Sequence, residues 1–204
     1  MLTDADRSAF LRCLEQAGIL RTRLLLATQG KQSEPAFSDA CRLSDVGPFF
    51  DSLASGSLGY AVEIASKSEA TFNRRYEYEE DYCYAQCLFA ITLGVEASVL
   101  ETKLAQFDQA TEGDEPPRYR ACVALATQYE SGFEVALERL IEEHEERYRD
   151  IKKSMVIDVE GFATEQFVMV EGLGLKVLAV ERGMSPQLEH TYMPVDTYAR
   201  APGR

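Results

Sequence analysis

The sequence predicts an all-α protein, a multi-helix array or bundle around a buried C-terminal apolar helix. Two observations predict it. Apolar residues recur at every third or fourth position through most of the chain, the period at which a helix turns one face to a core. The run Phe167-Val168-Met169-Val170-Glu171-Gly172-Leu173-Gly174-Leu175-Lys176-Val177-Leu178-Ala179-Val180 is the most hydrophobic in the protein, so other elements must cover it on most sides. With 204 residues and 46% hydrophobic content the chain can build such a core. It reads as one helical domain over 1–204, with the 111–117 loop as the candidate internal boundary.

The elements follow in order. Thr3 is a candidate N-cap, and Phe10, Cys13, Leu14, Ala17, Leu20, Leu24 and Ala27 step along the inner face of a first long helix. Gly30 and the polar Lys31-Gln32-Ser33-Glu34-Pro35 stop it. From Ala36 to Ser68 the glycines Gly47, Gly56 and Gly59 with Pro48 break the pattern. Short helices and turns are expected there, with Ser44 or Asp45 as a cap, before a firmer helix around Tyr60 to Ser66. The next helix carries Tyr76-Glu77-Tyr78-Glu79-Glu80-Asp81-Tyr82-Cys83-Tyr84 into Ile91, with Cys83, Cys87, Ala90 and Ile91 inward and Glu79 and Glu80 partly outward. Beyond Gly94, Ala97, Leu100, Leu104 and Phe107 share a face, up to the polar loop Thr111-Glu112-Gly113-Asp114-Glu115-Pro116-Pro117.

After that loop, Asp114, Pro116 and Pro117 read as a helix start, and Tyr119, Cys122, Val123 and Ala126 continue the apolar stripe. Ser131 is read as the cap of a very regular helix. Phe133, Leu137, Leu140, Ile141, His144, Tyr148 and Ile151 lie on its packing face, while Glu142, Glu143, Glu145 and Glu146 take other positions. His144 is therefore read as a hydrogen-bonded residue at the edge of the core rather than a metal ligand. The segment Phe162 to Val180 allows a β-hairpin or a buried helix; the surrounding helices favour the helix, with Gly172, Gly174 and Ala179 admitting a close neighbour and Gly183 closing it.

The charge bounds the partners. A formal net charge of −13, from 34 acidic and 21 basic residues, argues against binding phosphate backbones and favours a basic partner. Acidic residues stand near Met1 where a signal peptide would be positive, and the longest apolar run is interrupted by Glu171 and Lys176, so neither export nor a membrane span is expected and the protein is read as cytoplasmic. Cys13, Cys41, Cys83, Cys87 and Cys122 form a scattered, odd set that suits buried reduced thiols.

The familiar catalytic patterns are absent. There is no phosphate loop, no third glycine after Gly172 and Gly174, no His-Glu-x-x-His and no Gly-x-Ser-x-Gly. Ile141 and Gln187, three before His144 and His190, rule out the Glu-x-x-His of di-iron bundles. No catalytic residue, cofactor or metal is assigned. Helix-borne Glu79, Glu80 and Asp81 have the chemistry to hold magnesium, but a solvated acidic face explains them as well. Tyrosines offer large rigid contacts at low entropic cost, so Tyr78, Glu79, Glu80, Asp81 and Tyr82, with Glu142, Glu143, Glu145 and Glu146, are the candidate partner-binding residues.

The C-terminal third resembles a known family. Glu142-Glu143-His144-Glu145-Glu146-Arg147-Tyr148, the apolar Phe167 to Val180, Glu181-Arg182-Gly183 and then His190-Thr191-Tyr192-Met193-Pro194 are similar to the order found in the Immunity 49 family of bacterial polymorphic-toxin immunity proteins. The resemblance implies a cytosolic, all-helical protein that binds a cognate toxin and occludes its active site without turnover. Two other readings stay open: a helical scaffold or regulatory module with an apolar peptide groove, and a carboxylate-based metal-dependent enzyme with a deep pocket. The sequence leaves monomer and homo-oligomer undecided.

Overall fold

The computed structural model describes residues 4–153 and 166–194, apart from Ser33, Pro35 and Ala70. Among the described residues eight helices follow one another: α1 (Asp4–Ala27), α2 (Gly47–Ala54), α3 (Leu58–Lys67), α4 (Glu79–Leu93), α5 (Ala97–Ala110), α6 (Pro117–Thr127), α7 (Glu130–Lys153) and α8 (Val170–Glu181). The all-α expectation holds, and the hairpin alternative for the apolar segment does not. α1, α2 and α3 pack on one another, α3 leads to α4, α4 to α6 form a second group, and α6 pairs with α7.

α8 joins the two ends of this array. It packs most extensively on α2 and also touches α7. Its residues Gly172, Leu173, Gly174, Leu175, Lys176, Leu178 and Ala179 are buried, whereas Phe167 before it and Val180 near its end remain 62% and 46% exposed. Gly174 is what lets α2 come so close. A Cβ there would stand 2.7 Å from the Phe50 ring and 3.2 Å from the Phe50 Cα. Gly183 closes the helix with a positive φ of 85°, and its N–H donates to the Val180 carbonyl. Lys176, buried within this apolar helix, donates from Nζ to the Leu188 carbonyl at 2.6 Å, which replaces the water its ammonium gives up.

Several local expectations change. Gly47 and Pro48 begin α2 rather than break it, because a proline in the first turn has no N–H that a helix would need; Val46, not Ser44 or Asp45, precedes it. α7 starts at Glu130, so Ser131 lies inside it, and Ala97 is exposed in the first turn of α5. In α1 the buried face is Leu14, Gly18, Arg21, Thr22 and Leu25, while Cys13, Leu20 and Ala27 face out. Arg21 sets that rotation. Its guanidinium donates to the carbonyls of Ala40 at 2.5 Å and Arg42 at 2.6 Å and reaches Asp45, so a buried cation pins the 40–45 segment to α1. Thr3 and residues 162–165 lie outside the described residues.

Candidate functional site

Three helix starts and the middle of a fourth helix meet at one cleft of about 170 Å³. α4 brings Glu80 and Asp81, the turn into α6 brings Pro116, Pro117 and Arg118, α7 brings Leu140, Glu143, His144 and Arg147, and the start of α8 brings Met169 and Glu171. Phe107 of α5 completes the wall. The acidic first turn of α4 suits the local chain before any partner is considered: Glu79, Glu80 and Asp81 complement the positive end of the helix dipole. Prolines at 116 and 117 start α6 and aim Arg118 across it toward α8.

Arg118 organises the floor. Its Nε and one terminal nitrogen donate to the two carboxylate oxygens of Glu171 at 2.9 and 3.0 Å, and its other nitrogen donates to Asp81 at 3.1 Å. The guanidinium carbon lies 5.0 Å from the centre of the Tyr84 ring, and the Tyr84 hydroxyl donates to Glu171 at 2.8 Å. Burial alone would lower the Arg118 pKa. The charge and hydrogen bonds of Glu171 outweigh it, and the net shift is upward, so the cation is locked on. The Tyr84 hydroxyl is held protonated by its burial and by the same carboxylate.

The joint beside the cleft is aromatic. His144 stands at the edge of the core with its ring 4.7 Å from Tyr148 and 5.2 Å from Tyr192, and His190 stacks on Tyr192 at 5.3 Å. The Met169 N–H donates to the Tyr192 carbonyl at 2.9 Å, and Met193 fills the space left by Gly172. The closing His190-Thr191-Tyr192-Met193 segment thereby backs the start of α8.

The two acidic segments singled out in the sequence converge here only in part. Glu80, Asp81 and Glu143 line the same cleft. Burial raises the Glu143 pKa, with Glu171 and Glu146 adding to the shift and Arg118 and Arg147 opposing it. Tyr78 precedes α4 and is 77% exposed. Glu79 and Tyr82 face a second groove between α4 and α5, where Tyr82 packs 5.0 Å from Phe72. On α7, Glu142 pairs with Arg139 at 2.6 Å, Glu145 lies 3.8 Å from His190, and Glu146 is exposed. Sequence reasoning missed Arg118, Tyr84 and Glu171. The one available signal was an acidic residue inside an apolar run, which must find a cation or several donors once buried.

A family model described as Immunity protein 49 matches residues 46–196. The chain belongs to the Immunity protein 49 family. No curated protein and no solved structure matches it. The Immunity protein 49 match is wider than the C-terminal resemblance: it takes in the first turn of α4 as well as α7, and so every residue of the cleft, while α1 lies outside it. No described helix is long and apolar enough to cross a membrane.

Proposed function

We propose that the protein is a stoichiometric inhibitor that binds a basic cognate toxin domain in the cytoplasm and covers its active site. Family membership supports the immunity role. The observation that carries the binding surface is the convergence of Glu80 and Asp81 with Glu143 on one cleft, from positions about sixty residues apart in the chain. Glu142 and Glu146 are exposed elsewhere on α7, Glu145 lies beside His190, Glu79 and Tyr82 lie in the second groove, and Tyr78 is an exposed aromatic ahead of α4; the proposed surface takes them in as its outlying part. A basic partner would be steered to this face and held by desolvated contacts at its centre.

The cleft is small for a metabolite. Pockets for drug-sized molecules run to roughly 300–1,000 Å³, against about 170 Å³ here, and two of the four carboxylates are already engaged by Arg118. The larger groove between α4 and α5 sets Glu79, Gln86, Thr102, Lys103, Gln106 and Gln109 beside Phe72, Tyr82, Cys83 and Val99, so its walls are mixed in character. Family membership, with a cleft this small and partly neutralised, favours occlusion of a protein over turnover.

Co-expression tests the reading. Where a toxin domain is encoded beside this chain, cells making it should survive when the chain is present, and toxin activity in vitro should fall linearly to a break at one equivalent. Survival without inhibition at any ratio, or inhibition far below one equivalent, would sink it.

A further inference from the structure

We propose that the cleft receives one long basic side chain, arginine or lysine, from the toxin, an inference that rests on the toxin-binding reading above. The lining specifies the occupant from two sides. Phe107 and Leu140 are buried at 1% and 4% exposure, and with Pro116 and Pro117 they form an apolar wall suited to an aliphatic stem. Glu80 and Glu143 are exposed along the same cleft, placed to meet a cationic head. Neither carboxylate is in a salt bridge or side-chain hydrogen bond with another described residue. Glu143 already bears the cost of partial burial, which an incoming cation would relieve.

Charge complementarity survives a full accounting. Glu80, Asp81, Glu143 and Glu171 face Arg118 and Arg147, four carboxylates against two guanidinium groups. The His144 ring is engaged with Tyr148 and Tyr192. Arg118 is committed to Asp81 and Glu171, so among the described residues lining the cleft Arg147 is the cation left to compete with an incoming one for Glu143. The fold already uses this chemistry a layer deeper, where Arg118 lies over the Tyr84 ring between two carboxylates.

The test titrates the isotopically labelled full chain with acetyl-Gly-Arg-Gly-amide, its lysine analogue, and its citrulline analogue, which keeps the shape without the charge. Amide shifts centred on residues 80–81, 118 and 143–147 are expected with arginine or lysine. Citrulline should bind at least roughly fivefold more weakly. Glu80→Gln with Glu143→Gln should weaken the charged peptides by a similar factor, and Arg147→Gln should tighten them. Equal response to citrulline, shifts elsewhere, or no response overturns the proposal. If the double variant misfolds, the arginine-to-citrulline comparison on the native chain decides alone. No peptide response alongside intact protection in co-expressing cells would remove this anchor and leave the toxin-binding reading standing; a cleft response without protection would overturn the toxin as the source of the side chain and leave only a pocket for a basic one.

Discussion

The Arg118 guanidinium grips both oxygens of Glu171, at 2.9 and 3.0 Å, and so ties the first turn of α6 to the first turn of α8 across fifty-three positions of chain. A third contact to Asp81 adds α4 to the same knot. The side chains are 32% and 21% exposed, so the pair is desolvated enough to matter and wet enough to sit at the base of a binding cleft.

Removing one partner should leave the other's charge stranded. Arg118→Ala or Glu171→Ala is expected to cost about 2–3 kcal/mol, read from urea unfolding. Replacing both together, Arg118→Met with Glu171→Leu, should cost less than those two replacements made singly and added, because only the part-exposed Asp81 then loses its cation. Strict additivity would mean that the two side chains do not work as a pair.

The approach of α2 to α8 makes a sharper steric prediction. Gly174→Ala gains helix propensity of about 1 kcal/mol, yet its new Cβ would meet the Phe50 ring and backbone, which cannot step aside as a flexible side-chain tip would. A net loss of about 1–3 kcal/mol is expected. Gly59→Ala in α3 meets nothing within 4 Å and should stabilise by about 0.5 kcal/mol. Thermal melts of the two variants should shift in opposite directions.

Glu143 gives the pH dependence. Its pKa is raised in the folded chain, chiefly by burial, so the ionised form opposes folding. That cost is fully present above the folded pKa and disappears below the unfolded one, where both states are protonated. Glu143→Gln should therefore melt higher than the native chain at neutral pH, and the difference should fade as pH falls through the carboxylate range. A gain that grows on acidification would reverse the assignment.

The cysteines separate by environment. Cys83 and Cys122 are buried, and burial raises both thiols, Cys83 to about 11. Cys13 is exposed on α1. A colorimetric thiol reagent should label Cys13 quickly in the native chain, with the other four thiols reacting only on unfolding, and Cys13→Ser should abolish the fast phase. Fast labelling that survives Cys13→Ser would show that the core opens.

What the sequence made legible was what repeats locally. The stripe from Phe133 to Tyr148 predicted α7 because its solvated face alternates cleanly with its buried one, and the apolar run from Phe167 predicted a central helix by hydrophobicity alone. α1 turns a different face inward from the one its apolar stripe predicts. Its inner face contains Arg21, which side-chain chemistry assigns to solvent, and the carbonyls of Ala40 and Arg42 that make burial tolerable lie about twenty residues away. Gly18 lies on the same face, where an added Cβ would displace the Ser52 hydroxyl and press on the Ser52 Cβ at 3.3 Å. Glu171 stood out in the sequence only as an interruption of greasy residues. Its partners, Arg118 and Tyr84, are set by tertiary packing that no periodicity reports.

On the proposed function, the acidic residues in and beside the cleft capture a basic toxin domain. The most direct measurement is the affinity for that domain as a function of salt, for the native chain and for a variant with Glu79, Glu80, Glu142 and Glu146 each changed to Lys. These four side chains are exposed, and they lie outside the Arg118 knot. Native affinity should fall steeply as salt rises, and the variant should bind weakly with a flattened salt dependence. Equal affinity and equal salt dependence in the two proteins would contradict it.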